Sequence, residues 1–160
     1  MVSEERRENR MSLMSIDRSH LCNNLAIRKA ARYLGASYDK ALLPVGLRAT
    51  QFSILQRLGV QGEMTITNLA EVIAMDRTTM ASNLKPLARE GLVAVKPSEA
   101  DRRVRIAGIT PGGLDRLMLA LPLWQAVQDQ FEDRFGSDQA ARLRASLADV
   151  LDSGFQPWVE

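Results

Sequence analysis

The chain has 160 residues, of which 46% are hydrophobic and only 5% aromatic, so it suits one domain with a core of leucine, alanine, valine, isoleucine and methionine. It contains no run of about 18 apolar residues, and its charged first residues lack an apolar stretch, so we expect neither a membrane span nor a secretory signal. Cys22 is the only cysteine and His20 the only histidine. These counts exclude an internal disulfide and a histidine-rich metal site, and they fit a cytoplasmic protein.

The formal net charge of +2 hides an uneven distribution. Residues 76–105 hold seven basic and four acidic side chains, whereas residues 106–160 hold four basic and eight acidic ones. A basic segment attracts nucleic acid because its binding releases the counterions condensed on the phosphates. Charge alone leaves two interpretations open, a nucleic-acid partner and a surface that is patchy by chance.

The first part of the chain is predicted to be helical. Residues 1–18 are polar and irregular, and we expect a flexible segment there. Apolar side chains recur at spacings of three and four between residues 19 and 43 and between 48 and 58, which predicts two helices separated by Pro44 and Gly46. The second helix is expected to turn three side chains inward, namely Phe52, Leu55 and Leu58.

A helix–turn–helix pattern follows. Thr65–Ile66 indicates a short strand, and Thr67 is expected to cap a short helix, because its hydroxyl can accept a free backbone N–H. Asp76 is expected to cap the next helix, which runs to about Glu90 and stops at Gly91.

A charged hairpin and a long helix complete the chain. Strands are predicted at residues 92–95 and 104–109, joined by a charged loop that is typical of a wing. Thr110–Pro111 begins the long helix, which Pro122 is expected to bend. Gly136 ends it, and the following Ser137 or Asp138 is expected to cap a last helix. The long helix carries a seam that resembles a coiled coil, formed by Leu117, Leu121, Trp124, Gln128, Phe131 and Phe135.

The helix that Asp76 begins has two contrasting faces. One face is apolar and should pack on the preceding helix. The other carries short hydroxyl side chains and one lysine, which allow a helix to lie deep in the major groove of DNA, and the flanking Arg77 and Asn83 can reach phosphates or bases. The candidates for groove contact are Thr78, Thr79, Ser82 and Lys85. An ordinary solvated helix face is the alternative.

Pro86 interrupts this helix, because it removes the N–H that would bond to the Ser82 carbonyl. The expected bend either fits the DNA groove or directs the second half of the helix toward the core. The sequence leaves both interpretations open.

The tip of the hairpin carries Arg102 and Arg103, and Arg105 follows on the second strand. An arginine at a wing tip can enter a narrow minor groove, where the potential is most negative. Asp101 repels DNA phosphates, so we interpret it as a brace whose carboxylate holds the Arg103 guanidinium in place. A plain surface hairpin with an ion pair is the alternative.

Two spaced motifs link the wing to the long helix. Asp101-x-Arg103 followed by Ile109-Thr110-x-x-Gly113 resembles the D-x-R…L-T-x-x-G signature of the MarR family of bacterial transcription regulators, with isoleucine where leucine is usual. The resemblance covers about residues 20–155 and implies a homodimer of winged-helix protomers with each wing along the DNA. Such a dimer would bind a pseudo-palindrome with half-sites about 10 base pairs apart.

These patterns predict a mainly α fold (α+β), a winged helix-turn-helix with N- and C-terminal helices that form a dimerisation region. Residues 19–155 are expected to form a single unit after the flexible segment. Within it, residues 47–109 are the DNA-binding lobe, and residues 19–46 and 110–155 are the dimerisation helices. The seam of the long helix favours a partner helix, although packing within the chain is the alternative.

The resemblance also implies a control mechanism. Family members commonly bind small aromatic or phenolic acids, and the candidates for such an effector site are Arg28, Arg32, Phe52 and Trp124. Ion pairing of the two arginines and core packing of the two aromatic rings are the alternatives. Other members sense oxidants through a cysteine on the first helix, which makes Cys22 a possible redox residue. The tyrosines of that branch are replaced here by alanine, and a small buried hydrophobe is the alternative.

Other function classes fit less well. The sequence contains no glycine-rich phosphate loop, no metal-ligand spacing and no Ser-His-Asp set, so we expect no enzyme activity and no cofactor. We expect a sequence-specific DNA-binding transcription regulator, a ligand-responsive repressor that acts as a homodimer. The alternatives are a redox-sensing regulator that acts through Cys22 and a winged-helix protein-interaction module without DNA binding.

Overall fold

Helices make up most of the structure, a computed structural model that describes residue 6 and residues 21–155. In chain order the elements are α1 (Asn23–Leu42), a 3-10 helix (Leu43–Val45), α2 (Ala49–Gln61), β1 (Met64–Thr65), α3 (Ile66–Val72), α4 (Arg77–Arg89), β2 (Val93–Pro97), β3 (Arg105–Ile109), α5 (Pro111–Phe135) and α6 (Ser137–Asp152). The predicted fold class, a mainly α winged helix-turn-helix, is confirmed. Apart from Arg6, the predicted flexible segment 1–18 lies outside the described residues, as does His20.

The chain divides into two compact units, residues 1–37 and residues 38–160. In the first unit, the described side chains of α1 are mostly exposed. The second unit contains α2 and every later element. Within the described part of the chain, no helix is long and apolar enough to cross a membrane, and no three potential metal ligands from Asp, Glu, His or Cys cluster together.

The core of the second unit is built around α2, which packs against α4, α5 and β3. Phe52, Leu55 and Leu58 are buried as predicted, and Ile54 is buried with them. Full burial of a leucine or phenylalanine contributes about 1.5–3 kcal/mol, so these four side chains are a major part of the free energy that holds the winged lobe together.

Three predicted helix ends are confirmed. The Asp76 carboxylate accepts the Thr79 N–H at 2.8 Å at the start of α4. After this helix, Gly91 adopts the left-handed backbone conformation with φ +69°, which a glycine adopts without a steric penalty. The Thr110 hydroxyl accepts the Gly113 N–H at 3.0 Å, and Pro111 occupies the first position of α5.

Two predicted caps are wrong. The cap of α3 is Thr65, whose hydroxyl accepts the Asn68 N–H at 3.1 Å, whereas Thr67 lies inside the helix. Thr65 is held extended because it pairs with Ile106 in the sheet, so the helix begins directly after the strand. At α6 the residue before the first turn is Gly136, and no side chain caps the helix.

The small sheet has the strand order β1–β3–β2, and both pairs are antiparallel. The pairing of β2 with β3 runs from Val93 opposite Ile109 to Pro97 opposite Arg105, which forms the predicted wing. The short first strand is one residue earlier than predicted, because Ile66 already belongs to α3.

Burial along α5 decreases from its beginning to its end. Gly113, Leu117 and Ala120 are buried near the beginning of the helix. The predicted seam continues with half-buried side chains and ends at Phe135, which stacks on Phe131 at 5.1 Å between ring centroids and remains 41% exposed. The helix stays continuous through Pro122. The first half of α5 therefore packs against the winged lobe through one face. Apolar side chains remain exposed in both halves of the helix, namely Leu114, Met118, Leu119 and Phe135.

Candidate nucleic-acid interface

Helix α4 is anchored by one face and exposed on the other. Met80, Leu84 and Leu87 are buried against the rest of the lobe, as the periodicity predicted. The groove-contact candidates Thr78, Thr79, Ser82 and Lys85 are all exposed. This arrangement presents three hydroxyls and an ammonium group on one accessible surface, which suits hydrogen bonding to base edges and phosphates.

Arg77 and Asn83, which flank this surface, differ in whether their side chains already have partners within the lobe. Arg77 is exposed in the first turn of α4, and no ion pair within residues 21–155 involves it or Lys85. Asn83 is half-buried, and its amide donates to the Thr79 carbonyl at 2.9 Å and lies 3.6 Å from the Met75 sulfur. Asn83 is therefore already engaged within its own lobe, whereas Arg77 is available to a ligand.

Pro86 does not end α4, which continues to Arg89. The ring is half-buried, and the Pro86 carbonyl accepts the Glu90 N–H at 3.0 Å. Half-burial of Pro86 favours the interpretation in which the second half of the helix is directed toward the core, rather than the one in which the bend fits the DNA groove.

The wing is stabilised by hydrogen bonds at its tip. The Asp101 carboxylate accepts the Arg103 backbone N–H at 2.9 Å and lies 3.6 Å from the Arg103 Nε. The Val104 N–H donates to the Asp101 carbonyl at 2.9 Å, and the Ser98 N–H donates to the Val104 carbonyl at 2.8 Å. Asp101 thus shapes the turn through the backbone as well as pairing with the guanidinium, and the Arg103 side chain remains 95% exposed.

The other basic residues of the wing have different surroundings. Arg102 is exposed at the tip, and Arg105 donates from its Nη2 to the Val95 carbonyl at 3.3 Å. Lys96 lies 2.8 Å from the Glu63 carboxylate, whose hydrogen bond and negative charge raise the pKa of that ammonium group. Lys96 is therefore committed to an intramolecular pair, whereas Arg102 is exposed and accessible.

The structure brings three of the candidate arginines around one cleft of about 270 Å³ between the wing and the helix-turn-helix. Arg77 comes from α4, and Arg103 and Arg105 come from the wing. Thr67, which is exposed inside α3, also lines the cleft. Positive side chains that converge on a concave surface attract phosphate oxygens. The sequence reading missed Thr67 as a member of this site, because it assigned the hydroxyl to a helix cap.

A second, mainly apolar cavity of about 160 Å³ lies away from the wing. Phe52 and Trp124 line it and stack with ring centroids 5.7 Å apart and an angle of 18° between the planes. Sequence reasoning proposed these two rings for an effector site but missed Tyr38 and Ser53, whose hydroxyl-bearing side chains also line the cavity. Tyrosine and serine in helical patterns carry no signal that separates a cavity wall from an ordinary surface.

The remaining candidates lie on or directly before α1 in the first unit. Arg28 and Arg32, which the sequence offered as effector-site candidates, are both exposed. Their α1 neighbours Leu25 and Ile27 are also exposed. Cys22 is likewise an exposed free thiol rather than a small buried hydrophobe, and its Sγ accepts the Leu25 N–H at 3.4 Å in the first turn.

Comparisons with known proteins agree with this geometry. The sequence profile of the MarR family matches residues 47–104. The transcriptional activatory protein BadR of Rhodopseudomonas palustris is 30% identical over 139 residues, which cover 83% of this chain and 79% of BadR. The M. tuberculosis transcriptional regulator MosR, solved in complex with DNA, is 36% identical with a TM-score of 0.75 over 82% of this chain and 95% of MosR.

A more distant structure shares the fold. A cysteine variant of MarR from E. coli, complexed with operator DNA, has a TM-score of 0.72 at 22% identity over 80% of this chain and 92% of that one. The similarity to BadR extends over most of both proteins and includes the helices outside the winged lobe. With its winged helix-turn-helix, its braced wing and these relatives, the chain belongs to the MarR family of transcription regulators.

Proposed function

We propose that this protein is a transcription regulator that binds a pseudo-palindromic operator as a homodimer and represses the genes beside it until a small ligand releases it. One observation carries this proposal. The same lobe presents the exposed face of α4 and a braced wing, and the wing arginines share a cleft with Arg77. The lobe therefore presents a helix that suits the major groove beside an arginine that suits the DNA backbone or the minor groove. MosR, which is similar over most of its length, was solved with DNA bound.

Exposed apolar surface on the outer helices supports the homodimer. On α6, Leu147, Val150 and Leu151 follow one another at helical spacing and are 41%, 50% and 69% exposed. Leu25 and Ile27 are exposed on α1 in the first unit. Apolar side chains that recur on one helix face are stabilised when a partner covers them. We therefore assign residues 19–46 and 110–155 to dimerisation and residues 47–109 to the DNA-binding lobe.

Repression follows from occupancy of an operator, and release follows if the ligand binds more tightly to a conformation that fits DNA poorly. The cavity that Phe52 and Trp124 line is the site proposed for this ligand. BadR is described as an activator, so the direction of regulation is tested separately with a reporter gene. A fall in transcription when the protein is expressed supports repression, and a rise would assign activation. A regulator of this kind works on the chromosome, which places it in the cytoplasm.

A gel-shift titration with the DNA upstream of the protein's own gene tests DNA binding. The affinity should fall steeply between 50 and 200 mM salt, because each neutralised phosphate adds about −0.9 to the slope of log K against log salt. Lys85→Ala should lower affinity and relax specificity at one position if its ammonium group contacts a base. Arg89, at the last position of α4, provides a matched control variant, Arg89→Ala. An absence of binding at low salt would favour a protein-interaction module.

A second candidate function, redox sensing through Cys22, has one specific observation in its favour. The thiol is exposed, and the Leu25 N–H donates to its sulfur at the first turn of α1. Exposure and this contact together make oxidation by peroxide a reasonable alternative signal for the release of DNA.

A further inference from the structure

The C-terminal end of α4 is held by two side chains at the start of α5. The Thr110 hydroxyl donates to the Gly91 carbonyl at 2.6 Å. Further along α5, the Arg116 Nη1 lies 4.0 Å from the carboxylate of Glu90, the residue that directly follows the last turn of α4. A carboxylate at this position adds to the negative end of the helix dipole, so a nearby cation stabilises it. The end of α4 is therefore a polar joint with α5.

Arg116 has a second partner in the short segment that precedes α2. The same Nη1 donates to the Val45 carbonyl at 2.8 Å. Gly46, the next residue, leaves little room beyond this contact, because a Cβ there would lie 3.2 Å from Nη1. The Arg116 side chain is only 34% exposed. Arg116 therefore joins three segments of the lobe, namely the 3-10 helix, the end of α4 and α5.

The other contacts of α4 define its direction less strictly. The Asp76 cap acts within the helix itself, because its carboxylate accepts the Thr79 N–H. Apolar packing holds the buried face, and such packing is non-directional. The side chains that provide it are Met80, Leu84 and Leu87. The tilt of α4 therefore depends on the polar joint at its C-terminal end.

This joint lies at the opposite end of α4 from the first groove-contact residues. Thr78 lies in the first turn, and at about 1.5 Å of rise per residue roughly 18 Å separate it from Glu90. A tilt of about 5° at the joint would therefore move Thr78 by roughly 1.5 Å. A shift of this size breaks hydrogen bonds to base edges, which depend on distance and angle. The attraction between basic side chains and phosphates tolerates it, because that attraction is not directional.

We propose that Arg116 is a positioning residue for operator binding. Its guanidinium holds Glu90 and the Val45 carbonyl, and it thereby fixes the tilt of α4 relative to α5 so that the hydroxyl face of α4 meets the bases. Arg116 acts through α4 and makes no contact with DNA itself. The inference rests on the proposed function and deepens it, because it names a residue that sets the specificity of the DNA-reading helix.

Fluorescence anisotropy with two duplexes of equal length tests this role, one being the DNA upstream of the protein's own gene and the other a scrambled sequence. The ratio of the two affinities should fall about tenfold in Arg116→Met, the effect of one mismatched base pair. The slope of log K against log salt should not change. A protein that was merely less stable would bind both duplexes less well and would keep the ratio.

Two results would overturn the proposal. An unchanged affinity ratio in Arg116→Met would show that the tilt of α4 does not depend on Arg116. A salt slope smaller by about 0.9, the value for one phosphate, would show that Arg116 contacts DNA directly.

Matched variants identify the partner through which Arg116 acts. Glu90→Gln removes the charge and keeps the shape, so it should lower the ratio, by less than Arg116→Met because the Val45 contact remains. Added to Arg116→Met, it should have no further effect. Arg116→Lys keeps the charge and should retain a higher ratio than Arg116→Met. Arg134→Met is the control, because Arg134 is exposed in the last turn of α5.

The Glu90 variant also decides the proposal if Arg116→Met fails to fold. The Glu90 side chain is 42% exposed, so its substitution leaves the core intact. A wild-type ratio in Glu90→Gln would refute the joint between α4 and α5.

The wild type separates this inference from the proposed function. Equal affinity of the wild type for the two duplexes would remove the proposed function, and this inference with it. A wild-type preference for the upstream DNA that persists undiminished in Arg116→Met would remove this inference alone.

Discussion

Gly113→Ala is expected to weaken the junction between the wing and α5. A Cβ at this position would collide with the Leu92 carbonyl oxygen and would lie 2.8 Å from the Ile109 Cγ1. The first of these atoms belongs to the backbone and cannot rotate away. The start of α5, where Gly113 is buried, would therefore have to move away from the sheet.

The expected loss of unfolding free energy follows in part from the hydrogen bonds at this junction. Thr110 donates from its backbone N–H to the Leu92 carbonyl at 3.1 Å and from its hydroxyl to the Gly91 carbonyl at 2.6 Å. Loss of these two bonds costs about 1 kcal/mol each. Overpacking costs a further 1–3 kcal/mol or so, and alanine in place of glycine in a helix returns up to about 1 kcal/mol. The variant should therefore lose about 2–4 kcal/mol of unfolding free energy.

Urea unfolding followed by circular dichroism measures this loss, with all samples at one protein concentration because a dimer's stability depends on it. Gly112→Ala is the matched control, since a Cβ there would meet no atom closer than 3.9 Å. The control should be neutral or slightly more stable than the wild type. Unfolding free energies of the two variants within about 0.5 kcal/mol of each other would refute the reasoning, because only Gly113→Ala introduces the steric contact.

Three further outcomes are expected. Arg103→Ala should weaken operator binding by about tenfold and by more than Arg105→Ala, because the Asp101 carboxylate preorganises Arg103; equal losses in a gel shift would count against the brace. Hydrogen bonds from the Thr79 hydroxyl and backbone N–H hold the pKa of Asp76 below its usual range, so this cap stabilises α4 above the ordinary carboxyl pKa and is lost as pH falls through the lowered value. The urea midpoints of wild type and Asp76→Ala should thus differ at pH 7 and converge in acid; a constant difference would contradict the assignment. If Cys22 is a redox sensor, peroxide should release DNA from the wild type and leave Cys22→Ser bound, and identical responses would exclude it.

Local chemistry made several elements predictable from the sequence. Asp76, Gly91 and Thr110 act within one turn of their own helix ends, so their residue types are sufficient to locate those ends. The contact between Asp101 and Arg103 spans only two residues, so it could also be predicted from the sequence. The predicted cap at Thr67 was wrong because pairing between Thr65 and Ile106 decides where the helix begins, and that pairing joins residues far apart in the chain.

The sites depended more strongly on distant contacts. Periodicity indicated which side chains of α4 are exposed, but the convergence of Arg77 with Arg103 and Arg105 on one cleft requires the wing to fold beside the helix-turn-helix. In the same way, the sequence indicated Phe52 and Trp124 as separate candidates for an effector site, without a contact between them. Only the packing of α5 against α2 stacks the two rings.

The sequence by itself determined the winged helix-turn-helix, the ends of its main helices and the basic character of its wing, because these follow from periodicity and from groups a few residues apart. The tertiary structure alone decided which hydroxyls face the cavity and which of their hydrogens are already used. It places Tyr38 beside Gln128, a residue 90 positions away, and so leaves the cavity with hydrogen-bond acceptors. A hydrogen bond between residues so far apart leaves no periodic trace in the sequence.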